Sequence, residues 1–175
     1  MKTLYALLVG ISEYQHITPP LTACHLDVRR MRSLLGKVFK GNQELALKLE
    51  YLDNTHGRKA TRANIIQKFE THLGQAGEGD AVLFYFSGHG TVQASAPEFK
   101  ERSGKDESLC CFDSKAEIEG QRVYNLADKE IRALLSKLSD KGAHITVILD
   151  CCHSGSATRD EDEHIKEYIE RSDDE

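Results

Sequence analysis

The sequence contains no apolar run approaching the roughly 18–20 residues that a membrane-spanning helix needs, which argues for a soluble protein with no membrane partner. It has no cluster of Lys and Arg. Of the formal net charge of −5, Arg159–Glu175 carries −6, from nine acids and three bases, and leaves the body before it near neutral at +1. A neutral body without a basic patch gives no electrostatic case for nucleic-acid binding. The acidic tail reads as a solvated linker rather than a binding arm. No C-x-x-C pair occurs, which removes the usual thiol-redox motif. No internal repeat is visible, and 175 residues suffice for one compact domain but not comfortably for two.

Five cysteines are present, four of them in the adjacent pairs Cys110-Cys111 and Cys151-Cys152. An odd number with neighbouring pairs does not form a secreted disulfide framework, so a reducing compartment, the cytoplasm, is expected. A structural zinc site from these four and His153 is disfavoured, because such sites prefer two to four residues between ligating cysteines. Lys2 followed by Leu4–Ile11 has the outline of a secretory signal. However, polar and bulky Ser12-Glu13-Tyr14-Gln15 supplies no cleavage site, so the run is expected to be a first buried strand.

What is present is alternation. Leu4–Val9, Leu45–Leu52, Ala81–Phe86 and Ile145–Leu149 are short apolar segments. Leu45–Leu52 alternates partly, with Leu45, Leu47, Leu49 and Tyr51 on one face, and the continuous runs are of the kind that form strands buried on both faces. Between them lie three helical stripes. The first is Cys24, Val28, Met31, Leu34, Leu35 and Val38. The second is Ile65, Ile66, Phe69 and Leu73, capped by Thr61. The third is Ile131, Leu134, Leu135 and Leu138, started by Asn125 and Asp128. This order predicts an α/β fold with a mostly parallel sheet and helices on both faces. Polar Thr91–Lys105 reads as a mobile loop or a small hairpin excursion.

In an open parallel sheet, ligands sit beyond the carboxyl ends of the strands. The third strand runs out into Ser87-Gly88-His89-Gly90 and the fourth into Asp150-Cys151-Cys152-His153-Ser154-Gly155. If the two strands are neighbours, a histidine base and a cysteine nucleophile meet at one sheet edge, as thiol catalysis requires. The glycines beside His89 allow close backbone approach and free N–H groups for a developing oxyanion.

Phe84-Tyr85-Phe86-Ser87-Gly88-His89-Gly90 and Asp150-Cys151-Cys152-His153-Ser154-Gly155 resemble the two active-site motifs of the metacaspases and their bacterial relatives, which are caspase-like cysteine peptidases. Leu7–Ile11, Cys24-His25-Leu26-Asp27-Val28 and Asp106-Glu107-Ser108-Leu109 are similar to further stretches of that family, and the likeness covers about residues 3–156. The animal-caspase signature Q-A-C-x-G is absent. The resemblance implies a caspase-like fold, a Cys–His dyad with His89 as base and Cys152 as nucleophile, and an oxyanion hole from the N–H groups of Gly90 and Cys152. Cys151 falls on the variable position of the motif. The resemblance also implies that Asp27 and Asp150 stand in the pocket for the residue before the scissile bond, with Cys24 and Ser87 lining it. Two desolvated carboxylates demand a cation, so cleavage of a protein or peptide substrate after Arg or Lys is expected. The plainer alternatives are a surface pair of Asp27 with Arg29 or Arg30, and Asp150 as a strand-end cap.

Two departures qualify the likeness. The family continues past its cysteine with two more strands and a helix, whereas the 23 residues after Cys152 are too acidic to supply them. The expectation is therefore a large-subunit, p20-like domain over 1–156 with an acidic tail over 157–175. The small-subunit portion would be missing through truncation or processing, or supplied by a second chain. Many metacaspases bind calcium through aspartates; Asp106, Glu107, Asp160 and Asp162 are the candidates here, but Arg159 lies among them, and no cofactor is expected. The rival reading is a catalytically silent caspase-like scaffold that binds partners.

Overall fold

The computed structural model describes residues 2–94 and 105–151. In chain order the elements are β1 (Lys2–Gly10), α1 (Cys24–Phe39), β2 (Leu45–Leu52), α2 (Arg62–Thr71), a 3-10 turn (Leu73–Gln75), β3 (Ala81–Ser87), β4 (Gly90–Ala94), β5 (Lys105–Leu109), β6 (Glu117–Ile118), β7 (Gln121–Arg122), β8 (Leu126–Ala127), α3 (Asp128–Ser139) and β9 (His144–Asp150). The four apolar segments form one sheet, in the order β2-β1-β3-β9, with every pair parallel. The Leu4–Ile11 run supplies β1 and the residue after it. No described helix is long and apolar enough to cross a membrane.

Strand periodicity divides the core. Tyr5, Leu7 and Val9 of β1 join Val82, Phe84 and Phe86 of β3 on one face, where Ile65 and Phe69 of α2, Leu73, and Ile131 and Leu138 of α3 cover them. Ala6 and Leu8 with Leu83 and Tyr85 form the other face, under Val28, Met31 and Leu35 of α1. Helices therefore lie on both faces. Gly10 allows one of these contacts: a Cβ there would stand 2.5 Å from the Cys24 carbonyl oxygen and 2.6 Å from Val28 Cγ2. Thr61 caps α2 as its sequence suggests, its hydroxyl accepting from Asn64 N–H at 3.2 Å. Flanking 95–104, β4 and β5 pair antiparallel, so the described ends of the Thr91–Lys105 stretch form a hairpin.

Three expectations need correction. Ile145–Leu149 is not buried on both faces: β9 is an edge strand among the described residues, and Val147, Ile148 and Leu149 are 38%, 40% and 38% exposed. Only Ile145 of this strand packs on the main core. In α1, Leu34 and Val38 are exposed. Leu35 is the last residue of that helix in the apolar cluster; Leu34 turns off its stripe, and Val38 lies beyond it in the last turn. Finally, Asn125 does not start α3. Ala127 is held in β8 opposite Ser108, so the helix begins one residue later, with Glu130 accepting the Ala127 N–H at 3.0 Å. Asn125 instead donates to the Ser108 hydroxyl at 3.2 Å.

The Gly10 approach is testable. Gly10→Ala should lower unfolding free energy by about 1–3 kcal/mol, because the methyl group cannot enter without moving α1 off the sheet. Urea unfolding followed by circular dichroism measures this, and an unchanged midpoint would contradict the packing.

Candidate active site

Parallel register brings three strand ends to one level: Gly10 stands beside Ser87, and Ser87 beside Asp150. Backbone bonds continue the sheet past its last residues, from Ile11 N–H to the Ser87 carbonyl at 2.9 Å and from Gly88 N–H to the Asp150 carbonyl at 3.3 Å. Over these ends opens a cavity of about 570 Å³. Ser87, Gly88, His89, Gly90, Asp150 and Cys151 line it from the sheet, and Pro19, Cys24 and Asp27 from the segment after β1.

His89 is held from two directions. Its backbone N–H donates to the Tyr14 phenolic oxygen at 2.7 Å, and its Nε2 lies 2.9 Å from the Pro19 carbonyl oxygen. A carbonyl only accepts, so the Nε2 proton is assigned there and Nδ1 is left as the basic nitrogen. The Tyr14 and His89 rings lie 5.2 Å apart at 38°. Burial raises the Tyr14 pKa far above its ordinary value, so the phenol stays neutral.

Gly90 opens β4 opposite Leu109, and the neighbouring bond runs from Cys110 N–H to the His89 carbonyl at 2.9 Å. That bond makes Gly90 and Leu109 a non-hydrogen-bonded pair, leaving the Gly90 N–H outside the β4–β5 ladder. Across the cavity, Asp27 Oδ2 is 3.5 Å from the Ser87 hydroxyl, while its Oδ1 meets Arg30 at 3.2 Å on the outside. One carboxylate thus both lines the cavity and forms the surface pair with Arg30. Asp150 lies on the cavity wall, and its backbone carbonyl takes the strand-end bond from Gly88. Burial raises the Cys24 thiol pKa, with Asp27 and Asp150 adding to it against a hydrogen bond from Ser87. Cys24 is thus a neutral lining.

Comparison with known proteins agrees with this geometry. The metacaspase, peptidase C14 domain model matches residues 5–160. Metacaspase-2 of Trypanosoma brucei brucei is 33% identical over 159 residues, covering 89% of this chain and 42% of the relative. Metacaspase-1A of Aspergillus niger is 30% identical over 152 residues, covering 87% and 36%. A solved structure of a Geobacter sulfurreducens protein superposes with a TM-score of 0.64 at 25% identity, over 98% of this chain and 55% of that one. The chain belongs to the metacaspase family. It spans less than half the length of these curated relatives.

Of the metacaspase motif residues, the structure brings His89, Gly90, Ser87, Asp27, Asp150 and Cys24 around one cavity. Cys152 and His153 lie outside the described residues, as do Asp160, Asp162 and the 156/157 boundary. Cys151 reaches the cavity wall. Cys110 and Cys111 are buried, and burial pushes their thiols up to about 11 and about 12. The calcium reading also meets an obstacle. Asp106 is 3% exposed and its carboxylate takes Lys129 Nζ at 2.6 Å, so a lysine ammonium already neutralises it. Among the described residues no group of three or more His, Cys, Asp or Glu side chains could hold a metal. The described part of that set does not fit a calcium site.

The sequence reading missed Tyr14 and Pro19. Both lie on the segment after β1, a third strand end at the same level, and the rule that sites gather at strand carboxyl ends points there as much as to β3 and β9.

The buried thiols predict selective chemistry. At pH 8 iodoacetamide should leave Cys110 and Cys111 unmodified in the folded protein and alkylate both in denaturant, as read by peptide mass mapping. Rapid native alkylation of either would contradict their environment.

Proposed function

We propose that the chain carries the catalytic part of a cysteine endopeptidase in which His89 is the general base, Cys152 the nucleophile, and Arg or Lys the residue before the scissile bond. The observation that carries this reading is the clamped imidazole at the cavity, with its Nε2 on the Pro19 carbonyl, beside the strand end that leads into Cys151-Cys152. With Nε2 protonated, Nδ1 takes the thiol proton and the thiolate adds to the peptide carbonyl. The oxyanion receives the Gly90 N–H, left outside the strand ladder, together with that of Cys152. Imidazolium then gives its proton to the leaving amine. Water, deprotonated by the same nitrogen, hydrolyses the thioester and returns the thiol.

Charge supports the basic preference. Asp27 and Asp150 line the cavity beside a Cys24 thiol that burial keeps neutral. The Arg30 that meets Asp27 is three-quarters exposed, and such surface pairs are weak enough for an incoming guanidinium to replace. No metal takes part in this reading, given the Lys129–Asp106 pair. The exposed apolar edge of β9 supports completion of the sheet by further polypeptide, from the same product or a second chain. Reduced Cys24, Cys110, Cys111 and Cys151 suit a cytoplasmic setting.

Peptide cleavage profiling tests the reading. Cys152→Ala should abolish turnover of Arg and Lys peptides and Cys151→Ala should retain most of it, with or without a chelator. Asp27→Asn or Asp150→Asn should lower kcat/KM roughly ten- to thousand-fold for basic substrates. Preference for Asp before the scissile bond would falsify the pocket assignment. Absence of Cys152-dependent labelling by an active-site thiol probe would favour the partner-binding scaffold.

Regulation by self-processing follows from the same specificity. Arg159, Lys166 and Arg171 lie in the acidic tail, and Lys100, Arg102 and Lys105 in or beside the 95–104 stretch. Intact-mass analysis should find fragments ending at these residues in active protein and none in Cys152→Ala. Two full-length species under turnover conditions would show that the tail is not a processing linker.

A further inference from the structure

The described residues offer a basic hollow at Arg29 and Arg32, a buried His72 against Glu50, and the β9 edge, but the most completely built feature without an assigned role is Tyr14. Its phenolic oxygen accepts the backbone N–H of His89 at 2.7 Å, and its ring lies 5.2 Å from the imidazole. It packs on the main core cluster, and its own segment is fixed on both sides. Gln15 N–H donates to the Phe112 carbonyl at 3.0 Å, and Asn54 Nδ2 donates to the Glu13 carbonyl at 3.1 Å. The turn before the histidine is shaped around this hydroxyl: a Cβ at Gly88 would stand 2.8 Å from Tyr14 Oη and 2.8 Å from Phe86 Cζ.

We infer that Tyr14 is a positioning residue for the catalytic base: its hydroxyl fixes the backbone of the Ser87-Gly88-His89 turn so that the imidazole reaches the Pro19 carbonyl through Nε2 and presents Nδ1 to the thiol. The inference rests on the Cys–His reading above. The physical step is short. His89 has only its backbone and two side-chain torsions to set where Nδ1 stands. The Pro19 contact fixes the far end of the ring, and its near end needs a second anchor. Burial keeps the phenol neutral, so it offers the same acceptor across the working pH range. Tyr14 and Pro19 leave the sheet on one segment, so both anchors move together relative to β3. Displacing a reacting group by about 1 Å costs up to roughly a hundredfold in rate without changing substrate affinity.

Tyr14→Phe keeps the ring and its packing and removes only the acceptor. In the full chain it should lower kcat for a basic peptide by about ten- to hundred-fold with KM within about twofold. Side-chain nitrogen NMR of ¹⁵N-histidine-labelled protein, run in a Cys152→Ala background, reads the anchor without turnover. His89 should be almost wholly the Nε2–H tautomer with Tyr14 present and a mixture of tautomers in Tyr14→Phe. A purely structural role would lower the thermal midpoint and the active fraction while leaving the tautomer and the kcat per titrated active site alone. Unchanged kcat and an unchanged His89 tautomer in a folded Tyr14→Phe protein would overturn the inference. If the parent protein turns over no peptide, the proposed function fails while the NMR arm still decides the role of Tyr14. Should Tyr14→Phe unfold, Gly88→Ala, which presses on the same hydroxyl, supplies the same two readouts.

Discussion

The parallel pairing of β3 with β9 is the constraint on which the site depends. β3 is buried from Val82 to Ser87 with a neighbour on each side, and Val82, Phe84 and Phe86 face one apolar cluster while Leu83 and Tyr85 face the other. A one-residue slip would exchange those two sets, so the register of β3 is fixed by burial on both faces. β9 has much less core of its own and takes its register from β3, which sets Asp150 beside Ser87. The chain segments leaving the two strands, one carrying His89 and the other Cys151 and Cys152, therefore start from the same level. Two chain segments distant in sequence are thus brought to one level by one strand's hydrophobic pattern.

The segment between β1 and α1 completes the arrangement from the opposite side. Gly10 lets the start of α1 approach β1 at backbone contact, which carries Cys24 and Asp27 to the cavity wall. The same segment brings Tyr14 and the Pro19 carbonyl to His89. Polarity around the cavity is correspondingly divided. The histidine side is furnished with neutral acceptors, a phenol and a carbonyl, whereas the Ser87 side holds the carboxylates.

Much of this was legible in the sequence, for definable reasons. Three continuous apolar runs and the partly alternating Leu45–Leu52 predicted four strands, and all four form the sheet. The meeting of the histidine and cysteine strand ends was conditional on the two strands being neighbours, and β3 and β9 are. What failed was the degree of burial. An apolar run such as Ile145–Leu149 reads identically whether its neighbours cover it or not, and among the described residues β9 has a neighbour on one side only. Helix starts failed for a related reason: Asn125 is a good capping residue, but the β8 pairing at Ala127 claims the backbone that a cap at 125 would need. Tyr14 and Pro19 were invisible because their roles are contacts to a residue some seventy positions away, made through a hydroxyl and a backbone carbonyl that no motif encodes.

Two ion pairs of similar chemistry differ sharply in what they leave available. Lys129 and Asp106 join α3 to β5 with the carboxylate 3% exposed and the lysine side chain 17% exposed. Removing one partner of such a pair strands a buried charge, at a cost of about 3–5 kcal/mol, so the pair is fixed structure. Arg30 and Asp27 form a pair three residues apart on α1 with the guanidinium 76% exposed. Water screens it, and the arginine can leave without stranding anything. Burial alone thus separates a carboxylate committed to the fold from one that remains exchangeable. The exchangeable one stands at the cavity, with its second oxygen turned toward Ser87.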